Sequence, residues 1–92
     1  MTRATPSADW SDFAVELGWQ LQVARMNANL SQERVAHEAG VSRYTYQKLE
    51  RGIARPGAPA NPTLRTLLAV CQVIGVNPSD VLPSTTPDLR TR

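Results

Sequence analysis

The sequence predicts an all-α fold, a compact domain of five helices over residues 9–83. Its 92 residues suffice for one domain, and 41% hydrophobic with 20% charged residues is an ordinary globular composition. Apolar residues recur at helical spacing in several segments, most of them preceded by a Ser, Thr, Asp or Asn that can cap a helix. The sequence contains no alternating strand pattern and no internal repeat.

The first helix is expected to begin at Asp9 or Ser11 and to end near residues 27–29. Its apolar positions at helical spacing are Trp10, Phe13, Ala14, Leu17, Leu21, Ala24 and Ala28. Trp19 lies off this stripe, and the sequence leaves open whether it packs on the N-terminus or joins a dimer contact. Residues 1–8 are small and polar, so we expect a flexible N-terminal arm there.

Two short helices around a glycine turn follow in residues 32–51. Ser31 can cap the first of them and Ser42 the second, because a serine oxygen accepts a free N–H of the first helical turn. Gly40 can take the positive φ needed where the chain reverses, and Gly52 can end the second helix in the same way. This is the layout of a helix-turn-helix, whose second helix enters the major groove of DNA.

A proline-rich loop and two further helices complete the predicted fold. Three prolines and two glycines in residues 52–62 are expected to exclude a regular element there. Residues 61–63 start the fourth helix, which Gly75 ends. A short fifth helix over residues 77–82 has a proline in its first turn, and residues 84–92 are expected to form a flexible tail.

The positive charge of the chain is concentrated in one segment. The whole chain carries +2, of which residues 1–30 contribute −1, residues 31–65 contribute +3 and residues 66–92 contribute zero. The excess therefore lies in the helix-turn-helix segment, where it would meet DNA phosphates, although a modest excess alone is often just a solvated face.

Several features indicate a cytoplasmic protein without a membrane segment. No apolar run is long enough to cross a bilayer, and the first residues lack the apolar core of a secretion signal. The lone Cys71 cannot form an internal disulfide, which fits a reducing compartment.

Four sequence blocks resemble the lambda-repressor/Cro-like helix-turn-helix family, also called the xenobiotic-response-element (XRE) family, over residues 17–82. The blocks are LSQERVAHEAGVSR, LERG, PTLRTLL and IGVNPSDVL, in the family's order. The resemblance implies a compact five-helix lambda-repressor-like fold that binds double-stranded DNA, commonly as a homodimer, in a bacterial or phage regulator. The chain departs from the family at Tyr46, where a branched aliphatic residue is usual, and in the longer loop at 52–62.

The third helix gathers its polar and cationic side chains in an arc of roughly 140° on a helical wheel. Four of them, Arg43, Tyr44, Gln47 and Lys48, are our candidates for base contacts. Arg43 can donate two hydrogen bonds to guanine, and Lys48 can donate to guanine or phosphate. Tyr44 can contact a thymine methyl or donate to a phosphate. Gln47 can pair with adenine or orient its neighbours. The alternative is that all four are merely exposed polar residues.

Phosphate contacts are expected from Gln32, Ser42, Arg51 and Arg55. The resemblance implies that Gln32 contacts phosphate and braces the third helix, at a helix end whose free N–H groups also favour an anion. Ser42 is first a cap, with any phosphate contact secondary. Arg51 is a candidate phosphate clamp for which simple solvent exposure competes, and Arg55 reaches the DNA backbone only if its loop turns that way.

The resemblance also implies a structural ion pair between Arg25 and Glu50. Family members often join an arginine late in the first helix to a glutamate late in the third, and both positions match here. We predict a partly buried pair that fixes the angle between these helices. The alternative is two unrelated surface charges.

Together these patterns predict a sequence-specific transcriptional regulator, most simply a repressor, that reads the major groove with the helix starting near Ser42. The alternative is a protein-interaction module, such as an antitoxin-like partner or adaptor with weak DNA binding. An enzyme is the least expected class, because the chain has one histidine, one cysteine and no phosphate-binding glycine loop. His37 has no partner at ligand spacing, so we expect no metal and no cofactor.

Overall fold

The computed structural model describes residues 9–90, which form five α-helices and one two-stranded sheet. In chain order the elements are α1 (Trp10–Asn27), α2 (Gln32–Ala39), α3 (Arg43–Arg51), β1 (Ile53–Arg55), β2 (Ala58–Pro59), α4 (Leu64–Ile74) and α5 (Pro78–Val81). The predicted five-helix fold is confirmed. The expected N-terminal arm, residues 1–8, lies outside the described residues. No helix in the described range is long and apolar enough to cross a membrane.

Side-chain caps set where the longer helices begin. The capping oxygen accepts the backbone N–H three residues later, over 2.8 Å at Asp9, 3.0 Å at Ser31, 3.0 Å at Ser42 and 3.1 Å at Thr63. Asp9 rather than Ser11 is therefore the cap of α1. Gly40 closes α2 with φ 78°, which glycine adopts without the steric cost that a Cβ would bring, and the chain turns there into α3.

The segment between α3 and α4 is a β-hairpin, so the expectation of an irregular loop over residues 52–62 was wrong. Strands β1 and β2 pair in antiparallel fashion, with Arg55 opposite Ala58. The turn consists of Pro56, whose ring fixes φ, and Gly57, whose φ is 78°, and this combination suits a tight type II turn. Pro59 is tolerated because a two-residue edge strand does not need its missing N–H.

The start of α1 holds the end of this hairpin. The indole N–H of Trp10 donates to the carbonyl oxygen of Ala60 at 3.0 Å, and the N–H of Ala60 donates to the carbonyl oxygen of Gly52 at 2.9 Å. The Trp10 ring also stacks on Phe13, with centroids 5.2 Å apart. Trp10 therefore ties the hairpin to the helical body beneath it.

Buried side chains from all five helices form the core. They are Leu17, Leu21, Val35, Ala36, Tyr46, Leu49, Leu67, Val70, Cys71, Ile74 and Val81. Burial raises the pKa of the Cys71 thiol, which keeps it protonated and unreactive. Leu64, at the first turn of α4, is 70% exposed and lies outside this core. Trp19 is also exposed, at 56%.

The backbones of α1 and α3 touch directly where Gly18 lies. A Cβ at position 18 would stand 2.3 Å from the carbonyl oxygen of Glu50 and 2.6 Å from that of Leu49. A Cβ at Gly52, just beyond α3, would stand 2.6 Å from the Cα of Val15. Because the atoms met are backbone atoms, no side-chain rotation can make room at either position.

Replacing Gly18 by alanine is therefore expected to lower the free energy of unfolding by about 2 kcal/mol, through overpacking of the α1–α3 contact. Intrinsic helix propensity alone gives the opposite sign, a gain of roughly 1 kcal/mol for alanine over glycine. Chemical denaturation of the purified variant distinguishes the two. Gly57→Ala is the control, since no atom beyond its chain neighbours lies within 4 Å of its Cβ and only the strain of positive φ acts. A Gly18→Ala protein as stable as wild type would contradict the close contact.

Candidate nucleic-acid interface

One side of α3 is open to solvent and carries its polar and cationic side chains. Arg43, Tyr44 and Arg51 are exposed, with Tyr44 at 63%, while Gln47 and Lys48 are half-buried. All five side chains therefore remain accessible at least in part. The opposite side of the helix is buried in the core, so the exposed arc is the face that α3 can offer to a partner.

The side chains of Lys48 and Tyr44 are already organised on that face. The Lys48 ammonium lies 4.5 Å from the centroid of the Tyr44 ring, which is the geometry of a cation–π contact. The two residues are one helical turn apart, so the contact is local to α3. It holds the cation against the helix instead of leaving the side chain extended.

Beneath this face, Glu50 joins three helices through one buried carboxylate. Only 6% of the residue is exposed. Its Oε2 accepts from the Arg25 Nε at 2.6 Å and from the Tyr46 hydroxyl at 2.5 Å. Its Oε1 accepts from Gln32 Nε2 at 2.8 Å and from Arg25 Nη2 at 3.2 Å. The structure thus brings together the predicted pair Arg25–Glu50 and adds a donor from α2 and another from α3.

The unusual Tyr46 belongs to this network. Tyr46 is fully buried, so its hydroxyl cannot reach solvent. Glu50 supplies the hydrogen-bond acceptor that a buried hydroxyl needs. Desolvation, followed by the hydrogen bond to Glu50, raises the pKa of Tyr46, so the phenol remains a protonated donor. The ring fills the core position while its hydroxyl satisfies the carboxylate.

The charge of Glu50 is stabilised in spite of its burial. Desolvation by itself would raise the pKa of this carboxyl, but hydrogen bonds from Arg25, Tyr46 and Gln32 outweigh it and hold the pKa below its ordinary value. The hydrogen bond to Glu50 likewise raises the pKa of Arg25. Both groups therefore remain ionised across the neutral range.

Gln32 lies at the first turn of α2 and links the buried carboxylate to the outer face of α3. Its amide nitrogen donates to Glu50, and its oxygen accepts from Gln47 Nε2 at 3.4 Å. The side chain thus braces α3 from α2. It keeps one further amide N–H, and the first backbone N–H groups of α2 have no partner within the helix.

The other expected phosphate ligands occupy different settings. The Ser42 hydroxyl accepts the Thr45 N–H and donates to the Thr45 hydroxyl at 2.9 Å, so it is engaged in the cap. Arg51 is exposed in the last turn of α3, and Arg55 is exposed on β1 of the hairpin that follows. Neither arginine is joined to a carboxylate within residues 9–90.

Sequence reasoning missed one residue and one contact that shape this site. Gly18 was not singled out, although glycine in the middle of a long helix costs stability and usually marks a close approach. The bond between Tyr46 and Glu50 was also missed, although their spacing of four residues puts them on one face of α3.

The described residues hold no cluster of three or more potential metal ligands, and His37 is exposed on α2. Arg34, on the same helix, pairs with Glu38 at the surface. Within residues 9–90, the cations without a carboxylate partner are therefore those of α3 and the hairpin, together with Arg65 on α4.

Comparison with known proteins gives one family and several related structures. The family model described as a helix-turn-helix domain matches residues 16–82. The restriction-modification controller protein C.AhdI from Aeromonas hydrophila is 26% identical, with a TM-score of 0.66 over 75% of this chain and 96% of that chain. The clp gene regulator ClgR from C. glutamicum is 25% identical, with a TM-score of 0.67 over 75% of this chain and 81% of that chain.

A third similar structure contains DNA. SinR, the master regulator for biofilm formation solved in complex with DNA, is 25% identical, with a TM-score of 0.61 over 71% of this chain and 98% of that chain. No curated protein sequence gives a significant match to the chain.

Replacing Glu50 by glutamine is expected to lower the free energy of unfolding at neutral pH by about 3 kcal/mol, because Arg25 then loses its buried counter-charge. The pH dependence follows from the lowered pKa of Glu50. The contribution of ionised Glu50 to the free energy of unfolding is complete above the ordinary pKa of glutamate, about 4.3. It is lost as the pH falls through the lower pKa that Glu50 has in the folded state.

Thermal melts from neutral to acid pH check both statements. Wild type should lose stability on the acid side, and the Glu50→Gln curve should be flatter there. Glu38→Gln, which breaks only the exposed pair with Arg34, is the matched control and should leave the neutral-pH melt nearly unchanged. Identical melts for Glu50→Gln and wild type at every pH would reject a stabilising buried pair.

Proposed function

The chain belongs to the helix-turn-helix domain family, and from that premise we propose that it is a sequence-specific transcriptional regulator of double-stranded DNA. The observation that carries the proposal is the outward polar and cationic face of α3, held by a buried network on its other side. The similar proteins are named as regulators and controllers, and SinR was solved with DNA, which supports the same class here. The similar proteins are regulators and not enzymes.

In this proposal α3 is the recognition helix and enters the major groove. Arg43 stands at its first position, where it can give two parallel N–H bonds to guanine O6 and N7. Tyr44, Gln47 and Lys48 read or position the neighbouring bases. The simplest regulatory outcome is repression, in which the bound protein occupies an operator and excludes polymerase.

Phosphate contacts flank that helix on two sides. The N-terminus of α2, with the free N–H of Gln32, offers donors to one phosphate, and Ser42 adds a secondary contact. Arg51 and Arg55 offer cations on the other side, at the end of α3 and on the hairpin. These contacts place the recognition helix without specifying sequence.

We further propose that a domain of residues 9–83, with an N-terminal arm and a C-terminal tail, acts as a homodimer in the cytoplasm. The two half-sites would then form an inverted repeat spaced by about one helical turn, roughly 34–36 Å. The competing possibility is an interaction module for another protein. It would be favoured if the chain failed to shift any DNA at low salt.

Arg43→Ala is expected to weaken binding to the preferred DNA site by about 1–3 kcal/mol and to relax discrimination at one base pair. Titration of wild type and variant against a site series with each base pair substituted measures both effects. Arg90→Ala is the matched control, because it removes the same charge from a residue that pairs with Asp88 beyond α5. An equal loss on all sequences would instead assign Arg43 to the DNA backbone.

Arg51→Ala and Arg55→Ala are expected to weaken binding to all sequences alike. Each should reduce the slope of log affinity against log salt by about 0.9, since one phosphate is no longer neutralised. Binding measured across a salt series, beside Arg90→Ala, tests this. An unchanged slope for Arg55→Ala would mean that the hairpin makes no ionic contact with DNA.

A further inference from the structure

Glu50 dictates how the amide of Gln32 is turned. A carboxylate offers only hydrogen-bond acceptors, whereas a glutamine amide has a donor end and an acceptor end. The end of Gln32 that lies 2.8 Å from Glu50 Oε1 must therefore be its NH2 group. The opposite orientation would face a buried negative charge with a carbonyl oxygen.

The orientation of Gln32 is passed on to Gln47. With its NH2 group directed at Glu50, Gln32 turns its oxygen outward, and that oxygen accepts from Gln47 Nε2 at 3.4 Å. The bond uses one N–H of Gln47. Its second N–H donates no hydrogen bond to any residue between 9 and 90, and its carbonyl oxygen accepts none from them. Gln47 is half-buried and belongs to the accessible arc of α3.

We propose that Glu50 is a positioning residue for base specificity, which acts through Gln32 to fix the amide of Gln47 as one acceptor beside one donor. This inference rests on the proposed binding of DNA in the major groove. Glu50 itself touches no base, since it is buried beneath α3. Its effect is to select one of the two orientations that a free glutamine amide would sample.

The pattern that Gln47 then presents matches adenine. The major-groove edge of adenine has the N6 amino donor and the N7 acceptor, which pair with a carbonyl oxygen and an N–H side by side. Guanine presents two acceptors, O6 and N7, and the outward carbonyl oxygen of Gln47 opposes O6. Fixing the amide therefore favours adenine over guanine at one position in each half-site.

The test compares binding-site selection for four proteins. Wild type defines the preferred site, and Gln47→Ala identifies the position that Gln47 reads. At that position Glu50→Gln should reduce the preference for adenine over guanine about tenfold, because a glutamine at 50 no longer dictates the orientation of Gln32. Preferences at the other positions should remain.

Tyr46→Phe is the matched control for lost stability. It also removes a hydrogen bond from the buried network, but it leaves the carboxylate in place, so the adenine preference should be retained. Retained preference in Glu50→Gln, or an equal loss in Tyr46→Phe, overturns the inference while the proposed function stands. A wild-type protein that selects no sequence overturns the proposed function, and the inference falls with it.

A second measurement does not depend on DNA or on the folding of a variant. In the nitrogen-15 NMR spectrum of free wild type, the side-chain amide protons of Gln32 should exchange with solvent about tenfold more slowly than those of Gln72, which is exposed on α4. Equal exchange at the two side chains would show that Glu50 does not hold Gln32, and would overturn the inference.

Discussion

The architecture depends on satisfying one buried carboxylate. An ionised glutamate excluded from water is costly unless charge and hydrogen bonds surround it. Glu50 receives them from three helices: the Arg25 guanidinium of α1, the Gln32 amide of α2 and the Tyr46 hydroxyl of α3. The three bonds from α1 and α2 form only when these helices stand in one arrangement relative to α3. A well-packed apolar residue could match the stability of such a network. We infer that the directional bonds contribute the orientation of α3.

A second contact, of a different physical kind, fixes the same helix pair. At Gly18 the backbone of α1 meets the carbonyl groups of α3, and at Gly52 the chain after α3 meets the backbone of α1 again. Steric contact sets how near the helices come, while the pair of Arg25 and Glu50 sets how they are turned. The first depends on the absence of two Cβ atoms and the second on the presence of matched charges. Neither contact could replace the other.

Much of the fold could be predicted because its signals are local. The caps Ser31 and Ser42 and the turn at Gly40 are each encoded within a few residues, and the structure has them as expected. The hairpin was missed because its prolines were weighed as breakers, although Pro56 followed by glycine also marks a tight turn. The partners of Gln32 could not be derived from the residues alone, since they lie fifteen and eighteen positions away and meet it only after three helices have packed.

Tyr46 shows how a hydroxyl can be accommodated in the core beneath α3 when a neighbouring carboxylate accepts its hydrogen bond. An aliphatic residue at this position would fill the core but leave Glu50 with one donor fewer, whereas the phenol supplies that donor from the same helix. The carboxylate is thereby held from both sides, by Tyr46 within α3 and by groups from α1 and α2. Its remaining lone pairs then act on Gln32, and Gln32 acts on Gln47. Because the amides of Gln32 and Gln47 each have a donor end and an acceptor end, this series of hydrogen bonds transmits orientation as well as proximity. Apolar packing beneath the same helix would transmit only proximity.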